Sequence, residues 1–302
     1  MAATDSWRGV DEPLNTDDFE SGQHEFGFAV EAPIQGDKNA RDSVSCAVSS
    51  DMANLPSLDI AHPVATLTLR RPENANRLEP DDLKAIVAHV AAVNRDPGIL
   101  VLQIRGEGKH FCSGYDISSL AAQSGNPIGF EDMANAVEVA RPATIAVVHG
   151  GAYGGGTDLA LACDFRIGTN AAEMFMPAAR LGLHYYRGGL ERYVARLGLD
   201  TAKRLFLTAE RIDARAMRAC GFLTDVVTAD ELEASVGRLT DTLAAMAPLA
   251  LLGMKKHLNL IARGALDVDD LNGDIARAAD SEDLREGAAA WAARRPPKFT
   301  GR

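Results

Sequence analysis

The segment TIAVVHGGAYGGGTDLALACD, residues 144–164, restricts what this chain can fold into more than any other stretch. Its first six residues are too continuously apolar for a strand with one face in water, and they read as a strand covered on both sides. Glycine then takes five of the seven positions 150–156, and an apolar run follows that carries Asp158 near its start. Glycine loses more backbone freedom on folding than any other residue, so such a run needs a physical reason. One reason is a tight turn from strand into helix. Another is a ligand that must approach the backbone closely.

Known glycine chemistries narrow the second reason. A dinucleotide fingerprint G-x-G-x-x-G begun at Gly154 ends on Leu159 rather than on glycine. No lysine follows the glycines as a phosphate-binding P-loop requires, and the loop holds no serine for a hydrolase elbow. What remains is a row of backbone N–H groups at a helix N-terminus, where the first donors lack partners within the helix. Backed by the helix dipole, such donors stabilise an oxyanion. An oxyanion hole draws donors from two segments, and a second small-residue loop, RGEGKHFCSGYDI (105–117), follows another apolar strand, ILVLQI (99–104).

Elsewhere VATLTL (64–69) alternates as a strand, and Leu83, Ile86, Val87 and Val90 recur at helical spacing until Pro97-Gly98. From Leu197 onward the pattern is helical, apart from a short strand at Asp225–Val227. The fold class is therefore α/β with a helical C-terminal region. Three parts follow: an acidic, turn-rich extension at 1–56, an α/β core at 57–198 that contains both loops, and a helical region at 199–302.

A net charge of −11 offers no basic stripe for nucleic acid. The longest apolar run, around Leu243–Met254, is interrupted by Pro248, so no membrane span is predicted. Cys46, Cys112, Cys163 and Cys220 are far apart and no HExxH occurs, so neither a metal site nor a disulfide framework is expected. The first forty residues are acidic and lack an apolar core, unlike a transit or secretion signal. Together these imply a cytoplasmic location.

Five blocks in order carry a resemblance. IRGEGKHFCSGYDI (104–117) and TIAVVHGGAYGGGTDLALACDFRIG (144–168) resemble the two oxyanion loops of the enoyl-CoA hydratase/isomerase (crotonase) family. LRRPENANRL (69–78), LTAERIDARAMRACGFLTDVV (207–227) and SEDLREGAAAWAARRPPKFTG (281–301) are similar to its N-terminal strand-turn, later helices and C-terminal tail. The resemblance implies a crotonase-like spiral of ββα units, of the ClpP/crotonase type. It also implies an acyl-CoA thioester substrate, with coenzyme A part of that substrate and no separate cofactor. The helical region would close the acyl-CoA pocket and build a homotrimer or a dimer of trimers.

Carried over residue by residue, the backbone N–H groups of Ser113 and Gly155 would form the oxyanion hole, with Gly114, Asp116, Tyr153, Gly154 and Lys256 contacting substrate. Arg70, Arg71, Arg77 and Lys255 are candidates for coenzyme A phosphates. Asp158 stands where the family's hydratases carry the first of two catalytic glutamates. Three residues along a helix is about 4.5 Å of rise, which leans this carboxylate back toward the glycines. The second glutamate is missing: in MFMPAARLG (174–182) its place is taken by Ala178, which cannot transfer a proton. The following HYYRGG (184–189) offers His184, Tyr185 and Tyr186 as substitute acids or donors. The resulting expectation is an enoyl-CoA isomerase or hydratase working through an enolate. The alternatives are C–C bond hydrolysis or decarboxylation of a β-keto or malonyl-type acyl-CoA, a non-catalytic acyl-CoA binder, and a hydrolase with Ser113 as nucleophile.

Overall fold

A computed structural model describes residues 54–116 and 128–302. The extension up to residue 53, and residues 117–127, lie outside the described residues.

The alternating VATLTL segment forms β2 (Val64–Leu69), with Ala65, Leu67 and Leu69 buried as the period of two requires. It pairs antiparallel with β1 (Ser57–Ala61) and parallel with β3 (Val101–Gly106). Strand β3 begins two residues later than its apolar run. The Ile99 N–H is used by the Pro97-Gly98 turn, donating to Asp96 O at 3.2 Å.

Between β2 and β3 runs α1 (Pro80–Arg95), which buries Leu83, Ile86, Val90 and Val93 along one face. Its start is fixed by Asp82, whose Oδ2 accepts the Glu79 N–H at 2.8 Å. Helix α2 (Phe130–Glu138) then leads into β4 (Ala143–Val148). All six residues of β4 are buried, as the sequence expectation of a doubly covered strand demands. Ala146 and Val148 face the main core, whereas Ile145 and Val147 join a second apolar cluster with Leu243 and Val236.

After β4 come the short β5 (Gly151–Tyr153), α3 (Gly155–Ala162), β6 (Phe165–Thr169) and β7 (Glu173–Phe175). Helices α4 (Arg187–Leu197) and α5 (Leu199–Thr208), strand β8 (Ile212–Asp213), helix α6 (Ala214–Ala219) and strand β9 (Asp225–Val227) follow. The main sheet has the order β1-β2-β3-β4-β6-β9, and β5-β7-β8 form a smaller one. The C-terminal helices are α7 (Leu232–Ala244), α8 (Pro248–Ala262), α9 (Val268–Ala279) and α10 (Glu282–Ala292). No helix among the described residues is long and apolar enough to cross a membrane.

Candidate active site

The two small-residue loops meet at one point. Gly114, at φ +93°, sits so close to the second loop that a β-carbon there would lie 2.7 Å from Gly155 N and 2.8 Å from Tyr153 O. Only glycine combines that left-handed backbone with that approach. A bridge from Cys112 to Ala152 and the bond from Tyr153 N–H to Cys112 O, 2.9 Å, zip the loops together just before this point. Gly154, at φ 49°, then turns the chain into α3, so Gly155 becomes the first residue of that helix.

Beside this junction lies a cavity of about 440 Å³. Ser113, Tyr115, Gly154 and Gly155 line it from the loops, Met176, Pro177 and Ala178 from the segment after β7, and His184, Tyr185 and Tyr186 from the approach to α4. The fourth wall is the start of α2, with Phe130, Glu131 and Asp132. The structure thus brings Gly154, Gly155, Ser113, His184, Tyr185 and Tyr186 to one place, as the sequence suggested, although Ser113 arrives there in a different role.

Ser113 cannot serve as drawn from the sequence. Its N–H donates to Ala75 O at 2.9 Å and its Oγ donates to Asn74 O at 3.2 Å, so both donors are used by the turn after β2. The Oγ bond also leaves Ser113 without the base that a nucleophilic serine needs. Two residues on, Tyr115 pairs with Leu78 in a parallel bridge. Leu78 N–H donates to Gly114 O at 2.7 Å and Asp116 N–H donates to Leu78 O at 3.0 Å. Because peptide groups alternate along an extended chain, the Tyr115 N–H is directed away from Leu78.

Asp158 is the second correction. It lies in the first turn of α3, but its side chain has no exposed surface and it does not line the cavity. Arg192 of α4 grips it at two points, Nε to Oδ1 at 2.8 Å and Nη2 to Oδ2 at 3.0 Å. The Tyr186 hydroxyl donates a short hydrogen bond to Oδ2 and stands between the carboxylate and the cavity. Tyr185 stacks on Tyr186 with ring centroids 4.4 Å apart, and its hydroxyl donates to that of Tyr186 at 3.4 Å. The remaining face of Arg192 donates to Glu138 at 2.8 Å, and Arg263 also binds Glu138.

The electrostatics follow from burial. Burial first, and the Asp158 charge second, raise Tyr185 and Tyr186 well above the usual tyrosine range, so both keep their protons. Burial pushes Arg192 down, but its hydrogen bonds and charge contact with Asp158 more than offset this and hold it above its ordinary value.

Other predicted contacts lie elsewhere. Tyr153 turns its hydroxyl to Glu173 Oε1 at 2.5 Å and packs under Arg211, away from the cavity. Asp116 lies 3.7 Å from Arg77, and Lys256 is paired with Asp270 and Asp274 on α9. Of the proposed phosphate ligands, Arg71 is buried against Asp82 at 3.0 Å and Lys255 against Asp164 at 2.8 Å.

Two residues were missed. Arg192 had a signal, because a carboxylate inside the apolar run TDLALAC demands a buried counter-charge. Glu131 had none, since it follows no motif.

Two backbone loops thus meet beside a cavity at the N-terminus of α3 in an α/β fold. The sequence profile described as enoyl-CoA hydratase/isomerase matches residues 59–302. Crotonyl-CoA hydratase of Syntrophomonas wolfei is 31% identical over 253 residues, covering 78% of this chain and 94% of its own. A peroxisomal Δ(3,5)-Δ(2,4)-dienoyl-CoA isomerase of Arabidopsis thaliana is 28% identical over 253 residues, covering 77% and 91%. The crystal structure of an enoyl-CoA hydratase/isomerase family protein from Hyphomonas neptunium superposes with a TM-score of 0.76 at 28% identity, over 83% of this chain and 99% of that one. This chain belongs to the enoyl-CoA hydratase/isomerase family and is a hydratase/isomerase-like enzyme.

Proposed function

We propose that the protein shifts a carbon–carbon double bond in an enoyl-CoA thioester by way of an enolate. The observation that carries this reading is the meeting of Gly155, at the N-terminus of α3, with the Gly114-Tyr115 backbone beside the cavity. The Gly155 N–H has no acceptor within its own helix. With the Tyr115 N–H it supplies two donors, from two segments, for the thioester oxygen, in place of the pair first drawn from the sequence. Both act at the atom where charge develops. The reaction needs no cofactor, since coenzyme A arrives with the substrate.

Migration of a double bond is favoured over addition of water because neither position that resembles a hydratase glutamate presents a carboxylate to the cavity. Ala178 offers no proton, and Asp158 is occupied by Arg192 and Tyr186. The same sealing of Asp158 favours a second reading, a non-catalytic acyl-CoA binder. Incubating the protein with a panel of acyl- and enoyl-CoA thioesters in D₂O separates the two. Deuterium uptake with a shifted double bond supports the isomerase, a gain of one water restores the hydratase, and binding without any mass change supports the binder.

Self-association belongs to the same proposal. Met254, Leu258 and Ile261 on α8 and Trp291 on α10 are exposed in the single chain, which suits helices that contact a neighbouring subunit in a trimer.

A further inference from the structure

An enolate requires a base, and neither position that resembles a hydratase glutamate supplies one at the cavity. Ala178 has no titratable group. Asp158 already accepts three hydrogen bonds, and a proton arriving there would have to displace Arg192 or Tyr186. Tyr186 keeps its proton because burial and the neighbouring carboxylate both oppose a tyrosinate.

The cavity nevertheless holds a carboxylate that is not sealed. Glu131, half-buried in the first turn of α2, lines it beside the start of α4. Its neighbour Phe130 lies against Gly155, where a β-carbon would come within 2.6 Å of the ring. Glu131 Oε1 accepts the Gly188 N–H at 2.9 Å, which pins the side chain against the start of α4. The nearby cations Arg187 and Arg263 feel the Glu131 charge, but their hydrogen-bonded ion pairs are with other acids. Arg187 donates to Glu191 at 2.6 Å, and Arg192 and Arg263 both bind Glu138. Asp132, the other acid in this wall, is exposed and folds back to accept the Gly129 N–H at 2.8 Å, which makes it a helix cap.

We propose that Glu131 is the catalytic base, the carboxylate that takes a proton from the α-carbon of the bound thioester and returns it. The inference rests on the enolate reading above and deepens it. In the forward step the Cα–H bond breaks, an O–H bond forms on Glu131, and the electron pair spreads to the thioester oxygen. For a substrate with its double bond between the β- and γ-carbons, return of that proton to the γ-carbon leaves the double bond between the α- and β-carbons. Glu131 is regenerated and no co-reactant is consumed. The Asp158–Arg192–Tyr186 assembly is then a positioning unit that fixes the wall beside the base.

The test is deuterium exchange in D₂O with butyryl-CoA, for the α-proton alone, and with 3-hexenoyl-CoA, for migration. It compares wild type with Glu131→Gln, Glu131→Asp, His184→Gln and Asp158→Asn, with thermal unfolding of each. Glutamine keeps an oxygen to accept the Gly188 N–H, so Glu131→Gln is expected to retain its melting temperature and its KM within a few-fold. Its exchange and isomerisation rates are expected to fall about 10²- to 10⁴-fold, the usual range for a removed general base. Glu131→Asp, shorter by about 1.5 Å, is expected to recover part of that loss. Exchange within about three-fold of wild type in Glu131→Gln would overturn the assignment, as would a loss confined to His184→Gln or to Asp158→Asn. If wild type exchanges neither thioester, the enolate reading itself fails, and the assignment with it.

Discussion

Arg192 holds Asp158 through two parallel hydrogen bonds, at 2.8 and 3.0 Å, and both side chains are fully buried. A fork of this kind fixes both charges in place, and neither partner can be removed without leaving the other uncompensated in a low-dielectric interior. Arg192→Met is therefore expected to destabilise the fold by about 3–5 kcal/mol, and the double variant Arg192→Met/Asp158→Asn by less than Arg192→Met alone. Denaturant unfolding of the two variants measures the difference. Equal losses would mean that Asp158 tolerates isolation.

Alkaline pH offers a second check on the same assembly. Tyr153, Tyr185, Tyr186 and Tyr193 are all raised above the ordinary tyrosine value, each chiefly by burial. Between the unfolded value near pH 10 and the raised folded values, the folded chain holds more protons than the unfolded one, so stability falls as pH rises. Stability from these groups is complete below about pH 10 and is lost above it. Tyrosinate absorbance at 295 nm is expected to stay low for these four residues past pH 10 and then to rise together with the loss of helical circular dichroism. A gradual rise before any unfolding would place the rings in water.

These two results bear on what the sequence disclosed. Strand β2, the helical face of α1, the buried β4 and the late strand Asp225–Val227 were legible because periodicity and burial are local signals. The cavity was half legible. His184, Tyr185 and Tyr186 fall beside Gly155 because they follow the segment after β7, and the glycine run marks the helix start. The donors of Ser113 and the access of Asp158 were not legible. Each depends on a partner far along the chain, Ala75 for one and Arg192 for the other, and side-chain pairing at such range leaves no periodic trace. Glu131 was hidden for the same reason, since only the fold brings α2 against the start of α4.

Loop contact at Gly114 gives a third expected outcome. A β-carbon there meets Gly155 N at 2.7 Å and the residue must also adopt φ +93°, so Gly114→Ala combines a backbone strain of about 1–3 kcal/mol with displacement of the Gly155 N–H. Thermal unfolding should show the strain, and on the proposed enolate reading kcat should fall more than KM rises, because a donor to developing charge acts in the transition state rather than on the ground-state thioester. Unchanged kcat in a folded Gly114→Ala protein would place the donors elsewhere.

Ala178 is the position where added chemistry is most informative. It is almost fully buried, lines the cavity and follows Pro177 at the start of a short helical turn. Ala178→Glu introduces a carboxylate beside the walls formed by Tyr185 and Tyr186, and it adds a proton-transfer group to the one proposed at Glu131. Hydration of crotonyl-CoA is then expected to rise relative to double-bond migration, by up to the 10²-fold or more that a positioned acid or base supplies. Burying the new charge opposes folding, so a lowered melting temperature is expected alongside the gain. The ratio of hydrated to isomerised product, read by mass and by chromatography, measures the switch independently of protein yield. A stable Ala178→Glu protein with an unchanged ratio would show that water does not reach the substrate on this side of the cavity, and that the wall, rather than the missing carboxylate, selects the reaction.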